Sequence, residues 1–418
     1  MRYYVALLLL VAGFTIPWAN MTHPAEWSQF VSGIGSLPDD LAAVILAHNP
    51  KTVADIKARY VSDPFSRSPK VRVLIVPGHE PDYGGAEYKD LKERDMAVEL
   101  AQDLKGFLDV DQHFQSFMTR DANAWSPGFA AYFKNNWDDI IAWQKASHAQ
   151  ESQLIKIGSV PAPVSTVYHN KAPEDVAFRL YGITKWANEN DIDITIHIHF
   201  NDSPDRRAGE PGTHSGFAIY VPAAQYGNSS TTKAVASAVF KRLKKYNPVS
   251  DLTGESNGII DEPKLIAVGV DNTADSASML IEYGYLYEQQ FQDPAVRSIA
   301  LKDLAYQTYL GLQDFFSPTN TVDLSKRYDS LALPHSWQEP ITDKNTVGPD
   351  VFALQTALEA DGEYPPIDQT ANDCPRSGRL GPCTKTAIQA FQNKYKIHGE
   401  SGVVGSTTIG KLNQLFSL

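Results

Sequence analysis

Four titratable side chains stand where chemistry could gather. His79 follows the apolar run "VRVLIVPG", His199 closes "DITIHIH", Glu282 ends "SMLIE", and Glu93 opens the amphipathic stretch after the first of these runs. In open α/β sheets, ligands collect beyond the carboxyl ends of the strands. Two histidines plus a carboxylate form a catalytic zinc set whose fourth position is left to water. A second carboxylate nearby can take the proton from that water. Each residue also has a plainer reading. A histidine after a strand is usually a loop residue. His197 and His199 share one face of a strand because side chains alternate, so either could be an edge or core histidine. In "DLKE", Asp90 and Glu93 fit a capping box with Glu93 at the third helical position. Glu282 suits a buried ion-pair partner.

Positioning four such groups needs a rigid frame, and the chain between about 70 and 316 supplies one. Strands are expected at "VRVLIV", "HFQSFMTR", "DIDITIHIHF", "SGFAIYV" and "SASMLIEYGY". Helices are expected at "KERDMAVELAQDLKGFL", "EDVAFRLYGITKWANEN", "TTKAVASAVFKRLKKY" and "PAVRSIALKDLAYQTYLGLQDFF". Strands alternating with helices predict an α/β fold, a mostly parallel sheet flanked by helices. Residues 124–172 read as an insertion with its own helical pattern. Long insertions in compact domains often act as lids or binding loops, against a plainer reading as surface elaboration. Residues 22–69 form an N-terminal helical segment and 317–345 a linker without clear period. Residues 346–418 form a small helical unit whose "PDVFALQTALEADG" and "TKTAIQAFQNKY" carry apolar residues at helical spacing.

The bulk composition narrows the function. The formal charge of −12 over 418 residues argues against non-specific nucleic-acid binding. At the N-terminus, Arg2 precedes an uncharged apolar run to about Trp18, shorter than the roughly 20 residues of a spanning helix and broken by Pro17. Residues 1–20 therefore read as a secretory signal, with an uncleaved membrane anchor as the alternative. An exported chain acts in the periplasm, cell wall or extracellular space. The two cysteines, Cys374 and Cys383, could be a disulfide or half of a metal site, but no second pair completes a four-cysteine cluster. In an oxidising compartment a disulfide is expected.

Taken in order, the motifs resemble one family. "VLIVPGHEPDYGG", "LKERDMAVELAQDL", "FQSFMTRDAN", "WANENDIDITIHIHFND", "SGFAIYV" and "SMLIEYGYL" are similar to successive segments of zinc-dependent N-acetylmuramoyl-L-alanine amidases, which cut peptidoglycan. The resemblance spans about 71–316, interrupted by 124–172. It implies that His79, Glu93 and His199 bind Zn2+ and that Glu282 is the general base. Departures accompany it. Val76 replaces the usual aspartate before P-G-H, Glu80 the glycine after it, His197 the serine of S-I-H, and "YLYEQ" the usual serine-asparagine ending. Glu80 or Glu87 therefore competes with Glu93 as ligand, and Glu93 is preferred because it stands in frame with the helix.

The C-terminal unit resembles a three-helix peptidoglycan-binding domain in "VGPDVFALQTALEADGEYP" and "SGRLGPCTKTAIQAFQNKYKIHGESGVVGSTTIGKL", departing in the longer "PPIDQTANDCPRS". The expected activity is hydrolysis of the lactyl–L-alanine amide of peptidoglycan in wall remodelling or lysis. Two other readings stay open: a zinc peptidase or carboxypeptidase acting on stem peptides, and a non-catalytic wall-binding protein.

Overall fold

The computed structural model describes residues 49–60, 69–167, 169, 171–204, 206–317, 328–342 and 346–418. The expected signal or anchor at 1–20, and most of the segment 22–69, lie outside the described residues. Within that segment a short helix, α1 (Val53–Arg59), is closed by a capping box between Thr52 and Asp55.

Six strands build the sheet: β1 (Val71–Pro77), β4 (Phe114–Met118), β5 (Ile194–Asn201), β6 (Ala218–Pro222), β7 (Ile259–Glu262) and β8 (Ala277–Tyr285), in spatial order β4-β1-β5-β8-β6-β7. A small hairpin, β2 (Glu87–Tyr88) and β3 (Leu91–Lys92), follows β1. Four neighbouring pairs in the large sheet run parallel and only β6 and β8 are antiparallel. A mostly parallel sheet must be covered on both faces. Val73, Ile75, Ile194, Ile196, Ile198, Met279 and Ile281 bury one face. Helices α2 (Glu93–Val110), α5 (Ser229–Tyr246) and α6 (Pro294–Phe316) cover it. Each such side chain, fully buried, contributes about 1.5–3 kcal/mol.

Leu74 and Val76 bury the opposite face against α3 (Pro127–Lys156) and α4 (Glu174–Glu189), through Phe129, Phe133, Ile140, Tyr181 and Ile183. The stretch expected as an insertion thus supplies part of a covering layer through α3. Further along that face the strands carry polar residues. Thr195 and Ser276 hydrogen-bond through their hydroxyls at 2.8 Å, so the burial leaves neither unpaired.

A second core gathers α7 (Pro349–Asp361), α8 (Pro382–Lys394) and α9 (Ser406–Phe416) around Leu354, Ile388, Phe391 and Leu412. Leu333, Trp337 and Ile341 belong to it. The expected linker is therefore packed over 328–342, because Trp337 and its apolar neighbours bury their surface against these helices. Cys374 and Cys383 form a disulfide.

Candidate active site

The turn after β1 is the first fixed point. His79 has φ of 66°, in the left-handed region, a conformation that costs a non-glycine residue of the order of 1–3 kcal/mol. Arg120, 1% exposed and just past β4, holds it there. Its Nε donates to the His79 carbonyl at 2.9 Å. A terminal nitrogen donates to the carbonyls of Gly78 and, at 3.0 Å, of Arg94. Burial lowers the guanidinium to about 10, which leaves it charged at neutral pH, and hydrogen bonds from a charged donor are the stronger kind. The sequence reading gives Arg120 no role, although the T-R-D motif marks it.

The second fixed point is Glu93, the first residue of α2. Lys92 is the N-cap and contributes no side-chain bond, so the capping box expected between Asp90 and Glu93 does not form. Tyr88 pairs with Leu91, which puts Asp90 in the tight turn of the hairpin. The Glu93 carboxylate turns inward instead. Its Oε2 accepts from the Ala86 N–H at 2.8 Å and its Oε1 from the Phe200 N–H at 3.2 Å. The helix dipole favours an anion at this end. Burial alone would raise this carboxyl, but interactions with His79 and His199 hold it well below the usual carboxylate range.

His199 and Glu282 arrive from neighbouring parallel strands, where they stand directly opposite each other in register. Space for the rings comes from glycine. A Cβ on Gly78 would lie 2.5 Å from the His199 ring, and one on Gly85 would lie 2.9 Å from the His79 ring.

These elements bring three of the expected residues together. His79 Nε2 and His199 Nδ1 lie 2.8 and 2.9 Å from the same oxygen, Oε1 of Glu93. One donor atom from each of the three lies within 4.8 Å of the others. His79 Nε2 is buried, and despite its closeness to Glu93 it is not aligned to hydrogen-bond with any group among the described residues. Two imidazole nitrogens and a carboxylate oxygen that converge, one nitrogen without a partner, suit a divalent metal ion. Burial lowers His199, with Glu93 opposing. Glu93 and His199 thus favour the unprotonated forms that metal binding needs.

Glu282 has a buried Oε2 with no hydrogen-bond partner among the described residues. Burial first, then the charges of Glu93 and Glu255, push its carboxyl well above the ordinary range. A cation at the three-residue cluster would act in the opposite direction. The competing acids are occupied elsewhere. Glu80 is buried and bonded to Arg179 Nε at 2.8 Å, and the exposed Glu87 pairs with Arg94 at 2.8 Å. His197, two residues before His199, is pushed down to about 3 by burial and then by His199. It is a neutral core histidine at physiological pH.

One residue escapes the sequence reading altogether. Glu255 is 1% exposed and accepts from Asn201 Nδ2 at 2.8 Å, Tyr220 OH at 2.6 Å, Tyr285 OH at 3.3 Å and the Ser250 hydroxyl. It ties the ends of β5 and β8 to the middle of β6 beside Glu282. Its surroundings, "LTGESNG", read as an ordinary loop. The loop after α3 reaches this wall too. Ser165 donates to Glu262 at 2.6 Å, and the His169 ring stands 5.1 Å from that of Tyr220.

The N-acetylmuramoyl-L-alanine amidase family model matches residues 73–314, more than half of the chain. The chain belongs to that family. A peptidoglycan binding domain model matches residues 347–412. Among solved structures, the amidase is similar to the CwlD amidase from Clostridioides difficile in complex with the GerS lipoprotein. That match has 15% identity and a TM-score of 0.39, and covers 60% of this chain and 100% of that one. It is also similar to the N-acetylmuramyl-L-alanine amidase Ami1 from Mycobacterium smegmatis, at 15% identity and a TM-score of 0.40, over 60% of this chain and 98% of that one. A third is the catalytic domain of CwlV from Bacillus (Paenibacillus) polymyxa var. colistinus, at 14% identity and a TM-score of 0.36, over 58% and 97%. No curated protein matches the chain.

In this amidase the departures around P-G-H have local reasons. Val76 is buried beside His197, its register partner on β5, and Glu80 is held by Arg179. Among the described residues, no helix is long and apolar enough to cross a membrane.

Proposed function

We propose that the amidase is a zinc enzyme that hydrolyses the lactyl–L-alanine amide of peptidoglycan, with His79, Glu93 and His199 as ligands and Glu282 as general base. The observation that carries this reading is the convergence of three donor atoms within 4.8 Å next to a carboxylate oxygen with no hydrogen-bond partner among the described residues. A zinc ion held there supplies Lewis acidity, making water nucleophilic near neutral pH and polarising the scissile carbonyl.

The chain's own residues do the rest. Arg120 keeps the strained turn at His79 in place, so the ligand is set before substrate arrives. Glu282 takes the proton of the attacking water on its free Oε2. Its position one strand from His199 keeps it beside the reacting centre without needing to bind metal. The negative charge of Glu255 favours that proton uptake. Glu282 then returns the proton to the departing amine of L-alanine. The products are a glycan strand and a stem peptide.

Residues 346–418 are read as the wall-binding unit and 70–316 as the catalytic unit, and the chain as exported through its N-terminal segment. A module that holds an insoluble polymer raises its local concentration at the cleft. Mass spectrometry of purified peptidoglycan after digestion tests the reading. Stem peptides with a free L-alanine amine and uncut glycan are the expected products. Fragments cut between amino acids would replace it with a peptidase.

A further inference from the structure

The wall-binding and catalytic units share a buried contact built on one arginine. Arg376 lies in the loop tied by the Cys374–Cys383 disulfide and is 6% exposed. Its Nε donates at 3.1 Å to the carbonyl of Tyr246, the last residue of α5. Carbonyls at a helix C-terminus lack intrahelical partners and sit at the negative end of the dipole, so a cation there meets two needs. One terminal nitrogen of Arg376 pairs with Asp303 of α6 at 3.1 Å. The other donates at 3.0 Å to Thr356 of α7, on its own side of the contact. The guanidinium lies between the rings of Tyr246 and Phe352, 4.6 and 5.2 Å from their centroids, a placement favourable for a cation.

The surroundings are as closely fitted. Phe352, from α7, is part of the main core of the catalytic unit. A Cβ on Gly378 would come within 2.7 Å of the Val296 side chain. Asn372 donates to the Val249 carbonyl at 2.8 Å. Asp303 also accepts the Leu331 N–H at 2.8 Å, so the segment before the second core is held by the same carboxylate. An ion pair this buried has a defined geometry, because each charge left alone would face a large desolvation cost.

We propose that Arg376 locks the C-terminal unit onto the catalytic unit in one orientation. The polymer held by one unit then meets the cleft of the other at a fixed distance and angle, instead of arriving on a loose tether. The second half of this statement rests on the peptidoglycan-binding reading; the lock itself does not.

Scanning calorimetry on the full chain tests the lock. The wild type should unfold in one cooperative transition. The triple variant Asp303→Asn/Glu359→Gln/Arg376→Gln removes the guanidinium and both carboxylates beside it, so none is left buried alone, and the asparagine keeps an oxygen for the Leu331 N–H. It should unfold in two steps. If it fails to fold, Arg376→Lys serves the same scan. That variant keeps the charge but cannot reach Tyr246, Thr356 and Asp303 together, and should show a split or broadened transition. A wild type that already melts as two independent units, or variants that keep one unchanged transition, would overturn the lock. For presentation, turnover of soluble muropeptide by the uncoupled variant should stay within about twofold of wild type. Turnover of insoluble wall should fall about tenfold or more, a fraction of the roughly 100- to 10,000-fold gain that joining two binding modules can give. Equal turnover of wall by a variant that melts in two steps would overturn fixed presentation. A wild type that melts as one unit but does not sediment with wall would overturn the peptidoglycan-binding reading alone.

Discussion

Replacing Gly78 by alanine places a methyl group against the His199 imidazole, one of the three proposed metal ligands. The added Cβ would sit 2.5 Å from Cε1 of His199 and 2.7 Å from both ring nitrogens, where ordinary contact begins at 3.4 Å. The backbone cannot yield easily. The Gly78 N–H is bonded to the Ile198 carbonyl at 2.8 Å, and the Gly78 carbonyl accepts from the buried Arg120. The ring must therefore move by roughly 1 Å, the gap between these distances. Overpacking of this kind costs about 1–3 kcal/mol. Without a metal the ring can move by giving up its bond to Glu93, whereas a bound metal would also hold its donor nitrogen, so most of the cost should fall on the metal-bound form. At about 1.4 kcal/mol per factor of ten, zinc affinity should weaken roughly 5- to 150-fold. Competition against a chromophoric chelator measures this directly, with a thermal melt of the metal-free protein as the folding control. Wild-type zinc affinity in a folded Gly78→Ala variant would refute the placement of His199 as a ligand.

Arg120→Lys should lower stability by several kcal/mol, since unsatisfied buried carbonyls cost about 1–3 kcal/mol each, and should reduce zinc binding with it; an unchanged denaturation midpoint would show that the turn at His79 holds itself. Burial raises the Glu359 carboxyl, beside Arg376, from 4.5 to about 7. A folded-state value above the unfolded one gives stability that is present below about pH 4.5 and lost as pH rises through about 7. The wild type should lose stability between pH 5 and 8 relative to Glu359→Gln, and parallel melting curves for the two proteins over that window would refute the assignment. Converting Cys374 and Cys383 to serine opens a loop closed across a separation of nine residues. The chain-entropy model gives a loss of about 2.5–3 kcal/mol, and a urea midpoint equal to wild type would refute it.

Much of this architecture was legible because strand and helix periods differ. The run "VRVLIVPGH" carries both a buried strand and the break that exposes His79. "SMLIE" carries the strand that sets Glu282 opposite His199. The tertiary features were not legible. The β2–β3 hairpin is too short to have a period, and its turn at Asp90 displaced the helix start to Glu93. β7 is only four residues long, too short for a period to stand out between loops. Arg120 acts through backbone carbonyls, which have no sequence signature, and Glu255 gathers donors from three strands that meet only in the folded chain. Residues 328–342 lack a period because Trp337 and its neighbours pack as irregular chain against the second core. The choice among Glu80, Glu87 and Glu93 likewise needed the partners Arg179 and Arg94 to be seen in place.

The division of labour between ligands and base is tested most directly by Glu282→Gln in the full chain, assayed for zinc content and muropeptide turnover together. An amide of the same shape cannot take the proton of the attacking water, and none of the three cluster donors comes from this residue. The variant should retain one equivalent of zinc while turnover falls at least about 100-fold, the usual scale for losing a general base. Normal turnover with zinc bound would contradict the role of Glu282, and loss of zinc from the variant would contradict its separation from the metal site.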